Sequence, residues 1–93
     1  MAYDMSSVET QTTTTEVTDQ NQEPNLFELG LSHSTGIGAE VDYVEAHKWF
    51  NIAALRGDSE AKERRIELTA MMTQSQVSAA QRAAREWLAR TAN

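Results

Sequence analysis

Residues 42–61 read DYVEAHKWFNIAALRGDSEA, and this stretch decides the fold. Its apolar and small residues recur at i, i+3, i+4 and i+7, which is the spacing of one face of an α-helix. Asp42 stands where a helix N-cap is expected, and Gly57 stands where a helix would end. The predicted packing face consists of Tyr43, Ala46, His47, Phe50, Ala53, Ala54 and Gly57.

Small residues on this face indicate what the helix packs against. Ala46, Ala53, Ala54 and Gly57 would let a second helix backbone approach closely, and the bulky Trp49 and Phe50 would fill the space beside them. The stretch therefore predicts one partner of an antiparallel αα-hairpin.

Three further helices are indicated by their start signals. Asn25 with Glu28 would cap a first helix that stops before the turn Thr35-Gly36-Ile37-Gly38. Asp58 would cap a helix over 58–72, and the capping box Thr73-Gln-Ser-Gln76 would open a helix over 74–91. No part of residues 26–93 is typical of a strand, so we expect an all-α fold.

Length and composition limit the choice of function. The chain has 93 residues and no cysteine, which predicts a single small domain without disulfides or thiolate chemistry. No apolar run approaches the roughly 18 residues of a membrane span, and the first residues lack the pattern of a signal peptide. We therefore expect a cytoplasmic protein with no transmembrane segment.

The net charge of −6 is unevenly distributed. Residues 1–25 contain five acidic residues and no Lys or Arg, with too few apolar residues to bury a face, so we expect a flexible acidic tail in front of a helical domain over 26–93. An acidic chain lacks the positive surface that phosphate binding requires. Nucleic acid is accordingly not an expected partner.

The motif residues of 26–61 resemble one full unit of the Sel1-like repeats, relatives of the tetratricopeptide repeats. The resemblance rests on Leu29-Gly30, then on Gly36-x-Gly38, and then on the pattern D-Y-x-x-A-x-x-W-F-x-x-A-A that begins at Asp42. Residues 58–72 lack the Leu-Gly pair and the second glycine turn of a further repeat. The repeat-motif positions with a structural role would be Gly30, Gly36, Gly38, Ala46, Trp49, Phe50, Ala53, Ala54, Gly57 and Ala61.

This resemblance implies a small bacterial single-repeat protein, with one hairpin over 26–61 followed by two capping helices. It also implies a non-enzymatic protein-protein interaction module, an adaptor or accessory subunit docked on a larger multisubunit complex, with no cofactor. The alternative is a small regulator or inhibitor whose acidic tail is the active element. The sequence leaves self-association open, because small hairpin units can exchange helices at low cost.

Candidate catalytic and metal sites are weakly supported. Gly36-Ile-Gly38 lacks the preceding strand, the third glycine and the Lys-Ser/Thr pair of phosphate-binding loops, so we interpret it as a turn. His33 and His47 have no evident ligand partners and are interpreted as histidines at a packing edge. Ser32 next to His33 lacks the context of a nucleophile. An enzyme is therefore not expected.

Partner-binding candidates lie toward the C-terminus. Met71 and Met72 close the third predicted helix, and they would form with Trp87 either core filler or an adaptable apolar patch. Arg82 and Arg85 belong, with Arg90, to a basic stripe on the outer face of the last helix, suited to an acidic partner or to solubility. The candidate partner-binding residues are Met71, Met72, Trp87, Arg82 and Arg85.

Overall fold

Residues 25–92 are described by the structure, which is a computed structural model. Within them the chain forms α-helices and no strand, which confirms the all-α prediction for this part. The predicted tail, residues 1–25, lies outside the described residues except for Asn25, and so does Asn93. The helices are α1 Leu26–Thr35, α2 Tyr43–Leu55, α3 Ser59–Thr69 and α4 Gln74–Arg90.

Each helix starts at the predicted cap. The side chains of Asn25, Asp42 and Asp58 accept hydrogen bonds from the backbone N–H three residues on, at 3.0 to 3.1 Å. Thr73 does the same for Gln76, whose side chain accepts in return from the Thr73 N–H at 2.9 Å, so the predicted capping box is complete. These caps satisfy N–H groups that have no partner inside a helix.

The connection between α1 and α2 is a glycine turn. Gly36 ends α1 at φ +83°, and Gly38 has φ +89°, a left-handed conformation that other residues adopt at a steric cost. The Asp42 N–H donates to the His33 carbonyl at 2.9 Å, which ties the start of α2 to the last turn of α1. Helix α1 includes Thr35, one residue more than predicted.

Three residues, Arg56, Gly57 and Asp58, join α2 to α3. The Asp58 N–H donates to the Ala53 carbonyl at 3.1 Å, and the Gly57 N–H donates to the Ala54 carbonyl at 3.0 Å, the two bonds of a Schellman motif. The Asp58 carboxylate then accepts from the Ala61 N–H, opening α3. Asp58 therefore closes one helix with its backbone and starts the next with its side chain.

Helix α3 ends at Thr69, three residues before the predicted boundary. The N–H groups of Met71 and Met72 donate to the carbonyls three residues earlier, at 2.9 and 3.1 Å. Such bonds tighten the chain into a turn and satisfy the last carbonyls of the helix. The two methionines therefore lie in the turn between α3 and α4.

Helix α2 is the centre of the fold, because α1, α3 and α4 each pack mainly against it. Ile52 shows the consequence: it is fully buried although it lies opposite the predicted packing face. Trp49, Trp87 and Leu88 pack against the core as partly buried residues. The buried core comprises Leu26, Ala46, Phe50, Ile52, Ala53, Ala61, Leu68 and Ala84.

The glycine that permits the closest approach of two helices is Gly30, rather than Gly57. Gly30 is buried in α1, and a Cβ added there would lie 2.5 Å from two ring atoms of Phe50. Gly57 is exposed, and an added Cβ would meet nothing within 4 Å. The prediction that Gly57 belongs to the packing face was wrong: its φ of +101° serves the Schellman motif.

Candidate functional site

An open groove of about 310 Å³ lies where α1, α2 and the end of α3 meet. The buried side chains of Phe50 and Leu68 form its apolar floor, and Met71 is exposed at its edge. Charged side chains of α3 give it a polar rim. The lining residues are Ser34, Phe50, Arg64, Glu67, Leu68 and Met71.

Met71 is the most adaptable of these side chains. It is 62% exposed although apolar, while Phe50 and Leu68 beside it are buried. A methionine side chain is unbranched and polarizable, and can therefore follow the shape of a varied apolar ligand. Arg64, which lies 3.9 Å from Glu60, and Glu67 can offer polar contacts at the rim. The groove is thus chemically suited to an apolar side chain.

Trp87 packs α4 against α2. Its ring meets the ring of Trp49 edge-on, with centroids 5.4 Å apart and an interplanar angle of 83°. Arg56 lies over the Trp87 ring at 5.4 Å, and Lys48 lies over the Trp49 ring at 4.1 Å. Edge-to-face rings and cations over aromatic faces are both favourable contacts. The pair is part of the packing between α2 and α4.

The candidate partner-binding residues are not brought together. Trp87 is 13 residues beyond the start of α4 at Gln74, which places it about 20 Å along the helix from the turn that holds Met71 and Met72. Met72 is partly buried against the core. Arg82 and Arg85 are exposed on the outer face of α4. Of the five candidates, Met71 alone lines the groove.

His47 is a buried histidine linking α2 and α3. It is 2% exposed, and its Nε2 lies 3.1 Å from Thr69 Oγ1. Since the Thr69 hydroxyl already donates to the Arg65 carbonyl at 2.8 Å, His47 Nε2–H is assigned as the donor to Thr69. Its Nδ1 is buried and has no hydrogen-bond partner among residues 25–92.

Burial, followed by the positive charge of Arg65, lowers the pKa of His47 below its ordinary value of 6.5. A buried imidazole with a depressed pKa is neutral near pH 7, because desolvation disfavours the charged form. Arg65 itself donates to Asn51 Oδ1 at 2.6 Å, a second polar link between α3 and α2. His47 is therefore buried within the packing, whereas the sequence placed it at a packing edge.

His33 and His47 have different hydrogen-bond partners. Its Nδ1 is 3.2 Å from the Glu40 carbonyl, in the turn that precedes α2. Within the part of the chain that the structure describes, no three His, Cys, Asp or Glu side chains are grouped so as to hold a metal ion. None of the helices in that part is both long enough and apolar enough to traverse a bilayer.

Sequence reasoning missed most of the groove. Ser34, Arg64 and Glu67 carry no motif, and Phe50 was expected on the packing face of α2, where it is buried. Of the two methionines that the sequence singled out, Met71 lines the groove and Met72 packs against the core. The groove itself arises from the meeting of three helices and has no local sequence signature.

Comparison of the chain with models of known protein families gives no match, and comparisons with curated proteins and with solved structures give none either.

Proposed function

We propose that the chain is a cytoplasmic, non-enzymatic protein-protein interaction module that acts as an adaptor or accessory subunit on a larger protein complex. The observation that carries this proposal is the exposed Met71 at the edge of an apolar groove floored by Phe50 and Leu68. Apolar surface rimmed by polar residues is typical of interaction sites.

In this proposal α1 and α2 form a Sel1-like hairpin, and α3 and α4 are the capping helices. The contact of Gly30 with Phe50 and the turn of Gly36 and Gly38 support this arrangement, because they explain why the motif needs glycine at those positions. The Ala53 carbonyl and Asp58 likewise connect the repeat to the first capping helix.

The groove would accept an aliphatic or aromatic side chain of the partner. Desolvated apolar anchors in pockets contribute most of the binding energy of many interfaces. Arg64 and Glu67 would form the polar rim and orient the bound segment by charge. Met71 would close over the anchor, since its side chain can change rotamer at little cost.

The test is capture of tagged full-length protein from its native cells, with quantitative mass spectrometry of the recovered partners. Met71→Asp should abolish recovery of a partner held at fixed stoichiometry, because a charge in the groove would have to be desolvated on binding. Leu55→Asp is the matched control, since Leu55 is 66% exposed and lies outside the groove. Binding of the purified partner to both variants would then be measured by calorimetry.

Loss of binding in Met71→Asp with retention in Leu55→Asp supports the proposed site. Equal binding by both variants would contradict it. A protein recovered alone, or only with copies of itself, would contradict the accessory-subunit function.

Deletion of residues 1–25 separates the adaptor from the regulator alternative. An adaptor that binds through the groove keeps a weakened interaction without this segment. A regulator whose acidic tail is the active element loses the interaction completely. The full-length and the shortened protein are compared by the same calorimetric measurement, after their circular dichroism spectra have shown equal helix content.

A further inference from the structure

Helix α4 is the one described helix with a net positive charge. It contains Arg82, Arg85 and Arg90 against a single acidic residue, Glu86. Helices α2 and α3 each contain equal numbers of acidic residues and of Lys and Arg, and α1 contains only the acidic Glu28. Among the described helices, a net positive charge is therefore found on α4 alone.

The three arginines are exposed, and the described residues provide no hydrogen bond or ion pair for any of them. Arg82 and Arg85 are three residues apart, so they are neighbours on one face of the helix, where like charges repel. Glu86 is four residues from both Arg82 and Arg90 but forms an ion pair with neither. The outer face of α4 thus presents a net positive charge, three arginines against Glu86, and residues 25–92 form no ion pair with these arginines.

The complementary charge is present in the same chain. Residues 1–24 contain no Lys, Arg or His, and they carry the carboxylates of Asp4, Glu9, Glu16, Asp19 and Glu23. We infer that the outer face of α4, formed by Arg82, Arg85 and Arg90, binds this acidic N-terminal segment of its own chain.

Chain length permits this contact. A stretch of 24 residues can span up to about 80 Å when extended, whereas the 17 residues of α4 span about 25 Å. The segment joins the described part at Asn25, directly before α1. Covalent connection keeps its local concentration near α4 in the millimolar range, so several individually weak ion pairs suffice for binding.

An external polyanion is a poorer occupant of the same face. Nucleic acid approaching α4 would meet a chain whose total charge is −6, including the five carboxylates of the segment itself. A second copy could supply the same acidic segment, but it would have to compete with a segment that is already tethered. The tethered segment is therefore the favoured occupant.

The test uses full-length protein labelled with nitrogen-15 and carrying a nitroxide at Ser7→Cys. The sequence contains no cysteine, so this label is placed at one site. Paramagnetic broadening at low salt should reduce the amide peak intensities of residues 82–90 more than those of α1 and α3. The broadening should disappear near 1 M salt, where the screening length falls to about 3 Å.

Two variants with altered charge decide the assignment. Arg82→Glu with Arg85→Glu should abolish the selective broadening of α4. Lys62→Glu with Ser59→Glu and Ala70→Glu makes the same change in net charge on exposed residues in and beside α3, outside the groove, and should leave the broadening in place. The dispersion of the amide spectrum of each variant reports whether it is folded.

Selective loss of α4 intensity that responds to the α4 variant and not to the α3 variant supports the inference. No broadening, broadening spread evenly over the four helices, or equal effects of both variants would overturn it. Binding to a second copy is tested by mixing protein that carries the nitroxide but no nitrogen-15 with protein that carries nitrogen-15 but no nitroxide. If α4 is broadened in that mixture as strongly as in the doubly labelled protein, the inference is also overturned. Neither result depends on the groove beside Met71.

Discussion

The ring of Phe50 in α2 lies directly against the backbone of Gly30 in α1. A Cβ at Gly30 would be 2.5 Å from Phe50 Cδ1 and Cε1, closer than non-bonded carbon atoms approach. Phe27 contributes a second ring, whose centroid is 5.7 Å from that of Phe50. The two helices therefore pack closely at this point, because Gly30 has no side chain and the Phe50 ring fills the space that one would occupy.

Gly30→Ala should lower the free energy of unfolding by about 1 to 3 kcal/mol, because the added methyl group overpacks this contact. This cost exceeds the roughly 0.5 to 1 kcal/mol that alanine gains over glycine in a helix interior. Urea denaturation followed by circular dichroism measures the change. In a Phe50→Leu background, which frees space opposite Gly30, the same substitution should cost less; an equal cost in both backgrounds would contradict the contact.

Ala53→Leu should destabilise the protein by about 1 to 3 kcal/mol through overpacking. Ala53 is buried in the last turn of α2, and its carbonyl accepts two hydrogen bonds at the end of that helix. Ala89→Leu is the control, because Ala89 is exposed on α4 and its change should stay within about 0.5 kcal/mol. Equal thermal stability of Ala53→Leu and the unmodified protein would show that the Ala53 face is not tightly packed.

Asp58→Ala should cost about 1 kcal/mol, the usual effect of losing an N-cap side chain. The loss comes from the bond between the Asp58 carboxylate and the Ala61 N–H, which is 3.0 Å long. Asp58→Asn should retain most of the stability, because asparagine caps as well as aspartate does. The measurement is the urea midpoint of the unmodified protein and of the two variants. Equal losses of stability in Asp58→Ala and Asp58→Asn would mean that charge, rather than capping, is responsible.

Stability should decrease in acid because of His47. Burial and then Arg65 lower its pKa in the folded state, while in the unfolded chain it titrates near its ordinary value of 6.5. Between these two pKa values the unfolded state binds more protons, so the contribution is fully present above about pH 6.5 and is lost as the pH falls toward the folded-state pKa and below it.

His47→Gln removes this titration and keeps a side-chain donor near Thr69. The decrease in the free energy of unfolding from about pH 7.5 to about pH 5.5 should be smaller in this variant than in the unmodified protein. Parallel pH profiles for His47→Gln and the unmodified protein would show that His47 is not the titrating group.

Local signals in the sequence were sufficient to locate the helices. Asn25, Asp42, Asp58 and Thr73 act as caps because capping depends on residues within one turn. The 3.6-residue period likewise identified Ala46, Phe50 and Ala53 as core residues. These features require no knowledge of how the helices are arranged.

Features that depend on how the helices are arranged could not be predicted from such local signals. Periodicity assumes that a helix buries one face, but α2 is packed on several sides, so Ile52 on its opposite side is also buried. The groove beside Met71 likewise depends on where three helices meet. Gly30 and Gly57 look alike in the sequence, and only their surroundings show that one permits packing and the other a turn.

The central position of α2 has a consequence for how the domain opens. Since α4 packs mainly against α2, α4 can detach while the packing of α1 and α3 on α2 persists. Such partial opening exposes a helix to solvent at a lower free energy than global unfolding. Native-state hydrogen exchange should therefore show faster exchange for the amides of α4 than for those of α2, with α2 exchanging only when the whole domain unfolds.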